Sequence, residues 1–378
     1  MTFIIAIIFV ILYAGLNIYI GLKGYFVFSN LMPFFNSYLY WGLFMIIAFS
    51  IILGQLGRKF MPELMSSTFQ IIGSYWIAAF EYLIIIYVLM DILNLFIKYQ
   101  DKIANKPIIL AINIFVLIFV AILLVYGTYH AQDTKIAGYN ITIDKKAGTL
   151  KDLRVVMVSD IHLGEIVKNK RLKRMVDEIN ALNPDVVLLA GDIIDDRIEP
   201  FEKNNMAQYF LKLKATYGVY GILGNHEYFG GDIKKIELAY KKAGINCLVD
   251  EVTKVDNSFY IIGRNDLSSS RGNQKRKTLE QLLENLDKNL PIILMDHQPN
   301  HFEDIVSNGV DLQYSGHTHG GQFFPNNLIT HIIFEKDWGY LKKGNSSFIV
   351  SSGYGTWGPP IRIGTNSEII NSVIHFKK

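Results

Sequence analysis

The sequence predicts a two-part protein. An α-helical membrane domain covers residues 1–128, and an α/β domain built as two packed sheets flanked by helices covers 129–378. Three observations predict it. Long uninterrupted apolar runs fill the first 128 residues and do not recur. From residue 153 onward, short apolar runs of strand length alternate with stretches of helical period. The chain then closes on several strands with little helix between them, which suits two covered sheets better than one open sheet.

Composition sets the outer bounds. Of 378 residues, 50% are hydrophobic and only 19% are charged, which is apolar for a soluble protein. The net charge of +3 is small and the basic residues are scattered, with no aromatic–basic stripe for base stacking. No nucleic-acid partner is expected, and nothing predicts a protein partner. The single cysteine, Cys247, excludes an internal disulfide and a cysteine-based zinc site, and reads as a small buried apolar residue.

Four stretches have the roughly 20 apolar residues that a spanning helix needs. They lie at about 3–22, 38–56, 71–97 and 107–126. The first lacks a basic leader and a small-residue cleavage site, so it reads as an anchor and not as a cleaved signal. A multi-pass protein of the cell membrane is expected. Glu81 and Asp91 fall in the third run, where a carboxylate is costly. They are expected at a helix interface or near a helix end; two isolated carboxylates make a poor transport path. With four spans the N-terminus and the α/β domain share a side. Arg58, Lys59 and Lys135 flank that side, and Lys23, Lys98, Lys102 and Lys106 flank the other. The positive-inside rule leans towards a cytoplasmic second set, with the α/β domain outside.

The α/β domain begins with a junction over 129–152. Within it, 139–144 alternates at period two as an edge strand and 145–148 is its turn. Residues 155–158 form a buried strand. A helix follows over 170–182, with Leu172, Met175, Val176, Ile179 and Leu182 on one face, and Asn183-Pro184 stops it. Further strands are expected at 185–190, 218–223, 291–295 and 311–315, and late ones at 347–351 and 368–376. Helices are expected at 200–213 and 232–243, then a hairpin-like region up to Gly263. The polar segment 268–277 reads as a mobile loop followed by a helix.

Each of five strand-like runs ends in potential metal ligands. They are Asp160 with His162, Asp192, Asn225 with His226, His297, and His317 with His319. Open α/β sheets gather their sites at the carboxyl ends of strands. A set of carboxylate, amide oxygen and imidazole without thiolate suits Mn, Fe, Zn or a mixed pair. Even with His226 set aside, the remaining seven exceed one four-coordinate ion and fit two divalent metal ions. Gly164, Gly191, Gly224 and Gly316 are expected to let the backbone turn so that the ligands converge. His130, His301, His331 and His375 lie outside the pattern and read as ordinary polar residues.

The order Asp-x-His, Gly-Asp, Gly-Asn-His-Glu, a lone histidine and Gly-His-Thr-His resembles the calcineurin-like metallophosphoesterase superfamily. The resemblance runs from about residue 153 to the C-terminus. The stretch Gly316-His317-Thr318-His319-Gly320-Gly321-Gln322, with Ser351-Ser352-Gly353 and Pro360-Ile361-Arg362, is similar to its bacterial membrane-associated phosphodiesterase-like branch. Two details depart from the common pattern. Glu227 stands where Asp is frequent, and the lone histidine sits in Asp296-His297-Gln298-Pro299 instead of following a glycine. Neither removes a ligand.

The resemblance implies a two-sheet sandwich and a two-metal centre. One ion would be held by Asp160, His162, Asp192 and His319, the other by Asp192, Asn225, His297 and His317, with Asp192 shared. A hydroxide between them would attack a phosphodiester or phosphomonoester, and His226 would stabilise the developing charge or protonate the leaving oxygen. The strand carrying Asp160 and His162 begins only about 25 residues after the last apolar run, within reach of a membrane-borne substrate. Phe323, Phe324, Pro325, Ile332, Ile333, Phe334, Trp338, Tyr340 and Trp357 follow the last ligands and would favour a lipid-linked phosphoester at the site mouth. The alternative is a membrane sensor or scaffold whose domain binds without turnover, against which the intact ligand set speaks.

Overall fold

The computed structural model describes residues 2–98, 106–272 and 275–377. Its chain divides into two compact units, Met1–Thr128 with Gly358–Pro360, and Tyr129–Trp357 with Ile361–Lys378.

The first unit is helical. Its helices are α1 (Thr2–Leu31), α2 (Ser37–Ala48), α3 (Ser50–Gly57), α4 (Glu63–Lys98) and α5 (Lys106–Ala131), the last running on into the second unit. Three stretches among the described residues are long and apolar enough to cross a membrane: Ile7–Leu31, Glu63–Phe96 and Lys106–Ala131. The second expected span differs. It is broken at Phe49 into α2 and α3, which meet at a 62° bend. The cause is local. Phe49 leaves the helical backbone region, and the buried Ser50 hydroxyl donates to the Ile47 carbonyl at 2.7 Å. At 12 residues α2 is about 18 Å long, short of a hydrocarbon core of roughly 30 Å. Three described helices are thus long and apolar enough to span, or four if the bent pair is one span, and the two counts would place the termini differently. Lys102, used in the sidedness argument, lies outside the described residues. Asp91 sits at a helix interface, as expected, accepting from Lys23 Nζ at 2.7 Å and Tyr19 Oη at 2.6 Å.

The second unit is a four-layer α/β sandwich. One sheet has the strand order β1-β12-β2-β3-β4-β5, built from β1 (Thr134–Ile143), β2 (Asp152–Val158), β3 (Val186–Ala190), β4 (Val219–Ile222), β5 (Asn246–Cys247) and β12 (Ser367–Phe376). The other has the order β10-β11-β9-β8-β7-β6, from β6 (Glu251–Val255), β7 (Phe259–Gly263), β8 (Ile292–Met295), β9 (Leu312–Ser315), β10 (Gly339–Lys343) and β11 (Ser346–Val350). Strands β2, β3 and β4 run parallel, as do β7, β8 and β9, so both sheets point their central carboxyl ends the same way within their own sheet.

Period-two burial explains the layers. In β2, Val155 and Met157 face the other sheet while Val156 and Val158 face helices; in β3, Val186, Leu188 and Ala190 face inward and Val187 and Leu189 outward. Buried on both faces, these strands read as continuous apolar runs. Helices α6 (Asn169–Ala181), α7 (Ile198–Lys203), α8 (Ala207–Phe210) and α10 (Ile233–Lys242) cover the first sheet. Helices α11 (Leu279–Leu283) and α12 (Phe302–Ser307) cover the second. Helix α9 (Asn225–Gly230) follows β4, and α13 (Asn326–Ile333) follows the last histidines.

Three expectations need correction. The helix expected over 200–213 is two short helices, because Asn204 and Asn205 leave the helical register, Asn205 with a positive φ of 50°. The segment 268–277 opens with a 3-10 turn, Leu267–Gly272, and its residues 273 and 274 lie outside the described set. The edge strand is longer than expected, at ten residues, and pairs in parallel with β12 along its whole length.

Leu188 is fully buried between the sheets. Leu188→Ala is expected to cost about 2–5 kcal/mol, read as a fall in the urea midpoint of the α/β domain's transition.

Candidate metal centre

The five predicted strand ends deliver their side chains to one place. Asp160 and His162 follow β2, Asp192 follows β3, Asn225 follows β4, His297 follows β8, and His317 and His319 follow β9. The centre thus takes ligand-type residues from both sheets. Main-chain hydrogen bonds stitch the loops together: Asp160 N–H donates to Gly191 O (3.1 Å), His162 N–H to Asp192 O (3.0 Å) and Gly316 N–H to His297 O (2.9 Å).

Among the described residues three groups of donor atoms lie close enough to hold an ion, and two of them consist of predicted ligands: Asp160 with His162 and His319, and Asp192 with His297 and His317. In the first, His162 Nε2 and His319 Nε2 face each other at 3.0 Å, and His319 Nε2 is 3.5 Å from Asp160 Oδ1. In the second, His297 Nε2 lies 3.1 Å from Asp192 Oδ2, and Asn225 Oδ1 lies 3.2 Å from His297 Nε2 and 2.8 Å from His317 Nδ1. The two groups adjoin: Asp192 Oδ2 is 3.9 Å from His162 Nε2, and Asp160 Oδ1 is 4.0 Å from His297 Nε2.

The surroundings prepare these atoms for cations. His297 Nδ1 lies 2.8 Å from the Ala190 carbonyl, to which it can only donate, so Nε2 is the ring nitrogen aimed inward, where a proton or a cation can sit. Burial opposes ionisation of Asp192, but the imidazoles of His297, His226 and His162 outweigh it and hold the carboxyl below its ordinary range. Burial and a neighbouring imidazole (His297 and His162 respectively) push His317 and His319 down, towards the neutral form that binds metal. Buried ionised carboxylates, an amide oxygen and imidazole lone pairs within ion-binding distance form a donor set that fits divalent cations.

His226 is buried beside the first group, its ring centroid 4.7 Å from that of His162. Its Nδ1 is 2.7 Å from Asp196 Oδ1 and 3.5 Å from Asp195 Oδ1. Burial lowers its pKa, but the two carboxylates reverse this and lift it to about 10. Cations at the centre act in the opposite sense.

Several contributors have roles that the sequence did not assign them. Asp195 joins His162 and His226 in a third donor group, with Oδ1 3.4 Å from His162 Nδ1. Its only signal is the spacing Asp192-Ile193-Ile194-Asp195-Asp196. Glu227, noticed only as an atypical residue, organises the Asp192 loop. Its buried carboxylate accepts from the main-chain N–H groups of Gly224 (2.7 Å), Ile193 (2.8 Å), Ile194 (2.9 Å) and Asp192 (3.2 Å), and from Tyr240 Oη (2.7 Å). Arg362 is fully buried and donates to the carbonyls of Ser352, Gly353 and Gly355, which crosses beneath Asp160.

The glycines act differently from the expectation. Of the four, only Gly191 has a positive φ (86°). Gly224 and Gly316 serve close approach: a Cβ there would come within 2.1 Å of Asp192 Oδ1 and 2.2 Å of Asp160 Oδ2. Gly164 packs on Asp195 at 3.2 Å. The four leftover histidines stay out of the centre. His130 meets Thr365 O, His375 meets Asp152, His331 meets Asp337, and His301 caps α12.

Glu227→Ala leaves four buried N–H groups without their acceptor and is expected to destabilise the domain by about 3 kcal/mol or more. The exposed Glu284→Ala should stay within about 0.5 kcal/mol. Urea midpoints of the two variants check this.

Residues 153–321 match the family model described as calcineurin-like phosphoesterase. A transmembrane protein with metallophosphoesterase domain from Danio rerio is 31% identical over 274 residues, covering 69% of this chain and 62% of its own. An uncharacterized metallophosphoesterase of Aquifex aeolicus is 31% identical over 259 residues, covering 67% of this chain and 96% of its own. A solved dimetal phosphatase from Danio rerio superposes with a TM-score of 0.37 at 11% identity, covering 60% of this chain and 99% of that one. With the Aquifex relative matched over nearly its whole length, and all five ligand-bearing motifs inside the matched segment, the chain belongs to the calcineurin-like metallophosphoesterase family.

Proposed function

We propose that this protein is a membrane-anchored, two-metal phosphoesterase that hydrolyses a phosphodiester or phosphomonoester, with a lipid-linked phosphoester as the substrate class. One observation carries the reading: seven ligand-type side chains from five strand ends converge in two adjoining groups. In this reading Asp160, His162, Asp192 and His319 hold one ion, Asp192, Asn225, His297 and His317 hold the other, and Asp192 is shared. Two bound divalent cations supply Lewis acidity, which activates water near neutral pH and offsets phosphoryl charge.

The chain's own residues supply the rest. His297 is locked by the Ala190 carbonyl, so its inward nitrogen is fixed before any ion arrives. His226 is tied through Nδ1 to Asp196, which leaves Nε2 to carry a proton to the leaving oxygen. Asp195 and Asp196 favour its protonated form, as an acid requires. Apolar rings flank the centre: Phe229 lies 5.3 Å and Trp357 5.9 Å from the His226 ring, and Phe334 lies 6.1 Å from His317. They support an apolar leaving group or lipid moiety. Membrane anchoring rests on the three apolar helices and on the relatives named as transmembrane proteins. If the bent pair α2–α3 is one span, a catalytic domain on the extracytoplasmic side is the orientation the basic residues favour.

Full-length protein supplemented with Mn²⁺ is expected to cleave bis-p-nitrophenyl phosphate. EDTA should abolish the activity and added Mn²⁺ should restore it. Activity indifferent to chelation would overturn the metal reading.

Two substitutions separate the proposed roles. Asp192→Ala should lose both bound metal, measured by elemental analysis, and activity. His226→Ala should keep its metal while its rate falls by about 10²- to 10⁴-fold. Full activity in Asp192→Ala would sink the assignment.

A further inference from the structure

Helix α13 is turned inside out. Its large apolar side chains, Leu328, Ile329, Ile332 and Ile333, stand at i, i+1, i+4 and i+5 and form one stripe. That stripe faces outward: these residues are 54%, 53%, 83% and 67% exposed, and no residue of the helix is buried. The polar edge faces the domain. Thr330 Oγ1 donates to Asp337 Oδ2 at 2.8 Å, and the Asn326–Asn327 backbone presses on Gly321, where a Cβ would come within 2.2 Å of Asn327 N. A surface helix of a water-soluble domain shows the opposite arrangement. Phe324 before the helix and Trp338 and Tyr340 after it are also exposed. Seven large apolar or aromatic side chains within 17 residues exceed the scattered surface hydrophobes of an ordinary domain and mark an interaction surface.

The occupant follows from the chain. Helix α5, apolar enough to cross a membrane, ends at Ala131, and β1 begins at Thr134. The domain is therefore tethered to the bilayer by a connection of two residues. Trp and Tyr are the side chains that favour the membrane–water boundary. Lys343, near the patch, already pairs with Glu303 and Glu335 at 2.5 and 2.6 Å, so attraction would come from apolar insertion more than from anionic headgroups. The helix begins after only the six residues 320–325 that follow His319.

We infer that α13 lies in the interfacial layer of the lipid bilayer, its Leu328–Ile333 stripe buried among acyl chains, and holds the centre at the surface where a membrane-borne phosphoester sits. The docking stands on the helix itself; its consequence for the substrate rests on the phosphoesterase reading.

The test uses the full chain in phosphatidylcholine vesicles, with Cys247→Ala removing its only thiol and Ile332→Cys carrying an environment-sensitive fluorophore. Lipids brominated on the acyl chains are expected to quench it, and aqueous iodide to quench it much less than the same label at exposed Lys288→Cys. Iodide quenching equal to that at position 288 would overturn the proposal. So would protection from both quenchers, which would mean that protein covers the helix. Replacing Leu328 and Ile329 by glutamate should lower hydrolysis of a vesicle-borne phosphodiester by about tenfold and leave soluble bis-p-nitrophenyl phosphate unchanged. An equal fall for both substrates would overturn the link between docking and substrate. If the unmodified chain cleaves neither, the hydrolase reading fails while the quenching result still decides the docking.

Discussion

The centre depends on backbone that most residues avoid. Five of its ligand-type residues have left-handed φ: Asp160 and His162 at 51°, Asp192 at 50°, His319 at 52° and His317 at 73°. A strand that simply ran on would send alternate side chains to opposite faces. Turning left-handed directly after β2, β3 and β9 swings short polar side chains inward across the strand ends. Asp and His tolerate this region better than branched residues, yet each instance costs on the order of 1–3 kcal/mol. The surrounding structure must hold the turns. It does so through the loop-to-loop main-chain bonds, through Glu227 gathering the N–H groups around Asp192, and through glycines where the ligands leave no room for a Cβ. The donor atoms are thus in position before any ion binds, and the remaining strain is localised where binding can relieve it.

Electrostatics point the same way. The centre gathers acidic oxygens and imidazoles on largely buried side chains. Carboxylates at Asp192 and Asp195 stay ionised because imidazoles face them, while His297 is held protonated by Asp192 and Asp160. A proton on His297 occupies the position a cation would take, so metal binding and proton release are linked. Burial makes this exchange steep, because an unpaired charge has no solvent to fall back on.

Much of this could be read from the chain, for specific reasons. The strands at 155–158, 185–190, 291–295 and 311–315 are buried on both faces, so continuous apolar runs gave them away, and each ends in a residue type that stands out there. The ligand-type residues were legible because histidines are few and fall at those ends. Asp195 was not, and Glu227 and Arg362 were visible only as motif residues without a role, since all three depend on what loops distant in sequence bring beside them; a lone carboxylate in Asp-x-x-Asp carries no mark of a histidine partner 31 residues on. The break at Phe49 was hidden for a related reason. Hydropathy records that a stretch is apolar but not that a serine hydroxyl has taken a backbone carbonyl. Helix α13 was noticed as an apolar stretch, but only its packing reveals that the stripe faces out.

The placement of β12 has a consequence for how the protein is made. This last strand is inserted between β1 and β2, parallel to the first and antiparallel to the second. Until residues 367–376 leave the ribosome, the strand that carries Asp160 and His162 has an unpaired edge, and β1 lacks its only strand partner among the described residues. Glu368, in the same strand, accepts from the Ser352 N–H and the Trp338 indole, so the loops beneath the centre also wait for it. Long-range pairing of this kind forms late. The N-terminal helices are therefore made long before the candidate metal centre can assemble, which must wait for residues 367–376.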